Sequence, residues 1–216
     1  MSLLRILQQI VMCVIIGYMM GNFSPSYLIG KSKGKDVRKT GSGNAGASNA
    51  FIIAGKWAFF LTALLDIFKA FLACRICHAL FPDLAAAQPI GGVACIIGHM
   101  FPILLGFHGG KGLASLGGVI LAWNWKWFLI LLFAAAVIAF VSHYICFVAP
   151  TMSVVFPVLY FWRTRDLIGA LILLIPSVPI VLKHIENFRR ITEGKEVRVD
   201  ALWNRKKEEE RLGRTE

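Results

Sequence analysis

The chain reads as an all-α integral membrane protein of seven transmembrane helices, with its N-terminus outside and its C-terminus in the cytoplasm. Three observations predict this. Of its 216 residues, 57% are hydrophobic and only 16% charged, against roughly 25% charged in an average soluble domain, and mean hydropathy is +0.67. Apolar runs of bilayer length recur from end to end. The basic residues, which give a net charge of +11, fall mainly in segments that seven spans place on one side of the membrane.

A spanning helix needs roughly 17–25 mostly apolar residues. The first run, 6–30, carries no charged side chain. It outlasts the roughly 7–15 apolar residues of a signal peptide, and 21–25 lacks a small-x-small cleavage pattern, so it reads as a retained span. The second run, 57–74, is interrupted by Asp66 and Lys69; the third is 84–107, and the fourth, 112–125, is short. Residues 127–162 form one uncharged run. At about 1.5 Å per residue it is too long for one crossing of about 30 Å. Split near Ser142–Pro150, it gives the fifth and sixth spans, and 167–182 is the seventh.

Charge supports the short fourth span. Lys and Arg concentrate in short cytoplasmic segments. With seven spans, loop 31–56, Lys111 and the basic tail from Lys183 to Arg214 share one side, leaving Arg5, Arg75, Lys126, Arg163 and Arg165 opposite. With six, the tail would lie outside. The positive charge thus follows membrane orientation, and nucleic-acid binding is excluded as its explanation. Residues 1–200 read as the membrane domain and 201–216 as a charged cytoplasmic tail, either a polar helix or a frayed end.

Three polar islands fall on the cytoplasmic side. The first, "DVRKTGSGNAGASN" at 36–49, contains a G-x-G-x-x-G pattern. It follows a basic loop rather than a strand, so the dinucleotide reading fails. Its glycines suit a nest of converging backbone N–H groups. Thr40, Ser42, Asn44, Ser48 and Asn49 add side-chain donors, and Arg38 adds charge. That composition fits a phosphate site; the alternative is a flexible glycine loop. The second, "GHMFPILLGFHGGKGLAS" at 98–115, approaches a phosphate-binding loop, but Gly112 follows Lys111 where Ser or Thr is required. It leaves His99 near a helix end and a lysine able to meet a phosphate as a point charge; the alternative is a tight turn with a membrane-flanking lysine. In the third, "KHIENFRRITEGKE" at 183–196, His184 and Asn187 share a helix face, unless His184 is merely interfacial. Within span two, Asp66 and Lys69 are three residues apart and read as an ion pair that eases insertion. "CRICH" at 74–78 matches the haem-attachment pattern, with no clear axial partner, and Cys13, Cys95 and Cys146 read as small packing residues.

Taken in order, "GNFSPSYLIGK" at 21–31, "RKTGSGNAGASN" at 38–49, "LLDIFKA" at 64–70, the 98–115 stretch and "HIENFRRITEGKE" at 184–196 resemble the bacterial PlsY-type acyl-phosphate:glycerol-3-phosphate acyltransferases over nearly the whole chain. The resemblance implies a seven-helix enzyme of the bacterial cytoplasmic (inner) membrane that moves a fatty acyl group from acyl phosphate to the 1-hydroxyl of glycerol 3-phosphate, giving lysophosphatidate and phosphate. It implies no metal, no cofactor, and no acyl-CoA or carrier-protein donor. The catalytic set would be Ser42, Lys111, His184 and Asn187. Arg38, Thr40, Gly43, Asn44, Asn49, His99, Gly110, Ser24 and Ser26 would bind substrate, and the apolar spans would hold the acyl chain in contact with membrane lipid. Two positions depart from the family pattern: Ile52 stands where an arginine is usual and His108 where a lysine is usual. Either Arg38, Lys39 or Lys56 compensates, or the chain is a diverged paralogue of weak or no activity. The competing class is an organophosphate transporter, against which stand the absence of a clear repeat and the clustering of polar motifs at one surface.

Overall fold

The computed structural model describes residues 2–213, so Arg214 and the last two tail residues lie outside it. Every regular element among the described residues is helical. The chain runs through α1 (Leu3–Asn22), α2 (Pro25–Ser32), α3 (Ala47–Ala54), α4 (Lys56–Leu80), α5 (Ala87–Met100), α6 (Leu113–Trp123), α7 (Trp125–Ser142), α8 (Val148–Thr164), α9 (Leu167–Leu174), α10 (Ser177–Thr192) and α11 (Arg205–Arg211), with short 3₁₀ turns at Ile103–Leu105, Ile145–Phe147 and Val199–Leu202.

Among the described residues, six helical stretches are long and apolar enough to cross a membrane: Leu3–Ser32, Lys56–Leu80, Ala87–Leu105, Trp125–Ser142, Ile145–Thr164 and Leu167–Thr192. The expected fourth span is the shorter apolar helix α6. Its eleven residues give a rise of about 16 Å, well under a hydrocarbon core of about 30 Å. The second span runs on to Leu80, past the expected 74, because Arg75 sits on an exposed face and does not end the helix.

Two long stretches are broken where the sequence carries a breaker. Between α1 and α2, Ser24 caps the new helix by accepting a hydrogen bond from the Tyr27 amide (3.4 Å), and Pro25 takes the first helical position, where its missing N–H costs nothing. Between α9 and α10 the break falls at Ile175–Pro176.

Helix α5 is the most buried span, and small residues let its neighbours approach backbone to backbone. A Cβ at Gly17 or Gly21 of α1 would overlap the carbonyls of Gly91 and Cys95. In a membrane such close approach supplies the packing that hydrophobicity cannot. Cys74 and Cys77 of α4 are fully buried, with their sulfurs against Gly92 and Gly91. The C-x-x-C-H match is therefore a packing seam with no thiol open to a haem vinyl group. At the end of the bundle away from the three islands, Trp123 packs on Phe156 and Tyr160, each at 5.6 Å between ring centroids. There Asp166 accepts a hydrogen bond from the Tyr160 hydroxyl (2.9 Å) and another from the Gly169 amide (2.9 Å), capping α9.

Candidate active site

The three islands meet at Gly110. This residue lies in the loop 106–112 between α5 and α6, and its amide donates to the His99 carbonyl at 3.1 Å, folding the loop back onto the end of α5. A Cβ at Gly110 would overlap the His99 ring at Nε2 and press within 3.1 Å of the Ala45 carbonyl, while Gly46 faces the Gly110 Cα from the first island. Only glycine fits between them. From the third island, the Lys183 ammonium donates to the carbonyls of Met100 (2.6 Å), Gly110 (3.2 Å) and Gly109 (3.4 Å) and lies over the Phe101 ring at 4.6 Å. These are the unsatisfied carbonyls of a helix C-terminus and the loop beyond it, where a cation is favoured.

Lys111 points to α10. Its ammonium donates to Asn187 Oδ1, the Asn187 amide nitrogen donates to Glu196 Oε1 at 2.6 Å, and Arg190 Nε donates to Glu196 Oε2 at 2.7 Å. Burial, with the nearby Arg190 charge as a second cause, pushes the Lys111 pKa down to about 8. An ammonium offers three hydrogens, and this one has a single hydrogen-bond partner among the described residues. One turn earlier on α10, His184 is buried and its Nδ1–H donates to the Ile180 carbonyl at 2.7 Å. Because a carbonyl only accepts, this fixes the tautomer in which Nε2 is the acceptor.

The first island is held by a residue that does not face outward. Asn49 is buried; its amide nitrogen donates to the carbonyls of Val37 (2.8 Å) and Thr40 (3.0 Å), and its Oδ1 accepts from the Ser42 amide (2.9 Å). Gly41 has φ +66, and a Cβ there would overlap Asn49 Oδ1. The Gly43 amide donates to the Thr40 carbonyl at 3.3 Å, so the N–H groups of Ser42 and Gly43 are used within the loop rather than left open as a nest. The Asn44 amide also turns inward, to the Ser42 carbonyl (3.2 Å), while the Ser42 side chain is exposed. Arg38 is engaged as well. It pairs with Asp36 at 2.7 Å, donates to the Leu105 carbonyl (3.3 Å) and lies over the Tyr27 ring. That guanidinium holds the Asp36 carboxyl down to about 2. Ile52 lies against Gly41 beneath the same turn.

The deep charged pair reaches the same place. Lys69 Nζ lies 2.7 Å from Asp66 Oδ1, and His99 Nδ1 lies 3.3 Å from that oxygen and 3.0 Å from Lys69 Nζ. Lys69 also donates to the carbonyls of Phe23 (2.6 Å) and Gly21 (3.2 Å) at the break between α1 and α2. Just beyond that break, the Ser24 and Ser26 hydroxyls are 3.2 Å apart. Asp66 lies ten residues into α4, about 15 Å from its start. The floor beneath Gly110 is therefore sunk well below the end of the longest helix.

Sequence motifs pointed to Lys111, His184, Asn187, Gly110 and His99, and the fold gathers all five. The Ser24 and Ser26 hydroxyls bond to each other, next to the Phe23 carbonyl that accepts from Lys69. Three contributors were missed: Lys183, Arg190 and Glu196. The spacing of Lys183, Asn187 and Arg190, one turn apart each time, was the available signal for the first two.

Among the described residues this is an all-helical membrane protein with a lysine, a histidine and glycine loops gathered at one end of its bundle, a donor set suited to a small anion. Comparison with known proteins makes that class specific. Residues 11–194 match the glycerol-3-phosphate acyltransferase family, and the chain belongs to it; it is an acyltransferase. The chain is similar to the glycerol-3-phosphate acyltransferase of Mesorhizobium japonicum, with 32% identity over 89% of this chain and 97% of the relative. It is likewise similar to that of Staphylococcus saprophyticus, with 35% identity over 88% and 98%. Two solved structures of PlsY (YgiH), an integral membrane glycerol 3-phosphate acyltransferase, share the fold. Its glycerol 3-phosphate form has a TM-score of 0.81 and 29% identity over 89% of this chain and 96% of that one. Its lysophosphatidic acid form has a TM-score of 0.77 and 28% identity over 88% and 94%.

Proposed function

We propose that the protein transfers a fatty acyl group from acyl phosphate to the 1-hydroxyl of glycerol 3-phosphate in the bacterial cytoplasmic membrane, releasing lysophosphatidate and phosphate. The observation that carries this reading is Lys111: a partly buried cation with hydrogens to spare, bonded to Asn187 one turn of α10 from a histidine whose Nε2 is free to accept. Relatives captured with glycerol 3-phosphate and with lysophosphatidic acid support the acceptor and the product.

Lys111 meets a substrate phosphate, with the Ser42 hydroxyl and Asn44 at the rim. His184 Nε2 and Asn187 orient the glycerol hydroxyls, which brings the attacking oxygen onto the acyl carbonyl. The new bond forms between that oxygen and the carbonyl carbon, and the bond from carbonyl carbon to phosphate oxygen breaks. The hydroxyl proton leaves on the departing phosphate, so no covalent enzyme intermediate is required. Asn49, Gly41 and Gly110 shape the site rather than touch substrate. The acyl chain lies along the exposed apolar faces of the bundle. In this reading α6 completes seven spans, with the N-terminus outside and the site and C-terminus cytoplasmic.

The experiment is product analysis by mass spectrometry on purified protein supplied with acyl phosphate. Lysophosphatidate and phosphate should appear in equal amounts and only when glycerol 3-phosphate is added. Phosphate release independent of glycerol 3-phosphate, or no product from a folded sample at any chain length, would sink the reading.

A further inference from the structure

The family match ends at residue 194, but the chain does not leave the site there. It turns back at Gly194, whose φ of +70 suits glycine, and the amides of Lys195 and Glu196 donate to the Arg190 carbonyl (2.8 and 3.1 Å). The segment 195–212 then forms a strap. The Val199 amide donates to the His143 carbonyl (2.9 Å) at the end of α7. The Arg198 amide donates to Glu208 Oε1 (2.7 Å), and Glu208, although charged, is buried.

Arg211 closes the strap. Its guanidinium pairs with Glu208 through Nη2 (2.6 Å) and Nε (2.9 Å), and it donates to the backbone carbonyls of Glu196 (2.6 Å) and Gly194 (2.9 Å). Glu196 in turn holds Asn187, and Asn187 accepts from Lys111. A planar donor fork gripping two carbonyls and a carboxylate at once fixes a backbone more tightly than any single contact.

We propose that Arg211 is a positioning residue for the acyl-transfer site: it fixes the Glu196 backbone, Glu196 fixes the Asn187 amide, and Asn187 thereby presents Lys111 to the substrate phosphate. The relay rests on the reading above that Lys111 and Asn187 meet substrate. The buried Glu208 exists to orient Arg211, and neither residue touches substrate.

The test uses full-length protein labelled with ¹⁵N-asparagine in detergent micelles, the Asn187 side-chain amide being assigned by its loss in Asn187→Ala. In Arg211→Met that resonance should move away from its carboxylate-bonded position, and KM for glycerol 3-phosphate should rise about fivefold with kcat little changed, as expected for losing charge-assisted bonds one step removed from substrate. Arg211→Lys should give an intermediate shift. Glu208→Gln, a milder change that keeps the strap's shape, should move the amide in the same direction. An Asn187 amide that keeps its wild-type position in Arg211→Met and Glu208→Gln overturns the relay, as does a moved amide with a wild-type KM. If the wild-type protein shows no turnover, the proposed reaction fails, while the amide shift alone still decides whether Arg211 holds Asn187.

Discussion

Two lysines, one buried and one partly buried, lie near the same glycine loop, and they are held in opposite ways. Lys69 has three acceptors, the Gly21 and Phe23 carbonyls and His99 Nδ1, with the Asp66 carboxylate beside it. Its charge is cancelled and its hydrogens are all used. Lys111 has Asn187, a neutral group, and a depressed pKa. The Lys69 ammonium is fully engaged, as a structural cation is; Lys111 keeps hydrogens unused, as the proposed phosphate contact requires. A buried charge alone does not mark a site. The unused donor hydrogens of Lys111 are what the proposed site rests on.

The comparison breaks first at Lys69. Lys69→Met leaves the Asp66 carboxylate buried without its counter-ion, so the protein should lose about 3–5 kcal/mol of stability, read as a lower thermal midpoint in detergent. A loss under about 1 kcal/mol would show that the pair carries little. Lys111→Ala should leave the midpoint nearly unchanged and cut kcat/KM about 100-fold, the cost of one charge-assisted contact to an anion; a stability loss with normal kcat/KM would reverse the assignment. Gly110→Ala should come next, at about tenfold in activity, because the added carbon displaces the loop from His99 and Ala45. A fully active variant would mean that the joint tolerates movement.

The pH profile sharpens the contrast. Lys111 is charged below its pKa of about 8 and neutral above it. The kcat/KM of the free enzyme should therefore fall on the alkaline side near pH 8, approaching a tenfold loss per pH unit. Lys111→Arg, which does not deprotonate in this range, should remove that limb. The smallest effect is Ile52→Arg. Arg38 is occupied by Asp36, and Lys39 and Lys56 are exposed. A guanidinium restored beneath Gly41 should raise activity a fewfold at low glycerol 3-phosphate, about 1 kcal/mol or less for a partly solvated charge, measured by initial rates.

Hydropathy made the membrane class and the apolar runs legible, because span length is set by the bilayer rather than by partners. The glycine-rich islands were legible as candidate sites because glycine and donor density is a local signal. The use of their donors was not. Nothing near Ser42 says that its amide belongs to Asn49, seven residues on. The Asp66–Lys69 pair shows itself as a three-residue spacing, but His99, which ties it to the loop, is thirty residues away from Lys69. In the sequence Lys183 is only the start of the basic tail; the fold brings the Met100 and Gly110 carbonyls under it. "CRICH" made the opposite error possible: a literal match whose sulfurs turn out to be spent on packing against Gly91 and Gly92.

Equilibrium binding of glycerol 3-phosphate, measured by calorimetry on protein in lipid nanodiscs, tests the central contrast most directly. Wild type should bind at neutral pH, Lys111→Ala should bind about 100-fold more weakly, and both should unfold at the same temperature. Equal affinity in the two would contradict the claim that the unsaturated lysine is where the substrate phosphate lands.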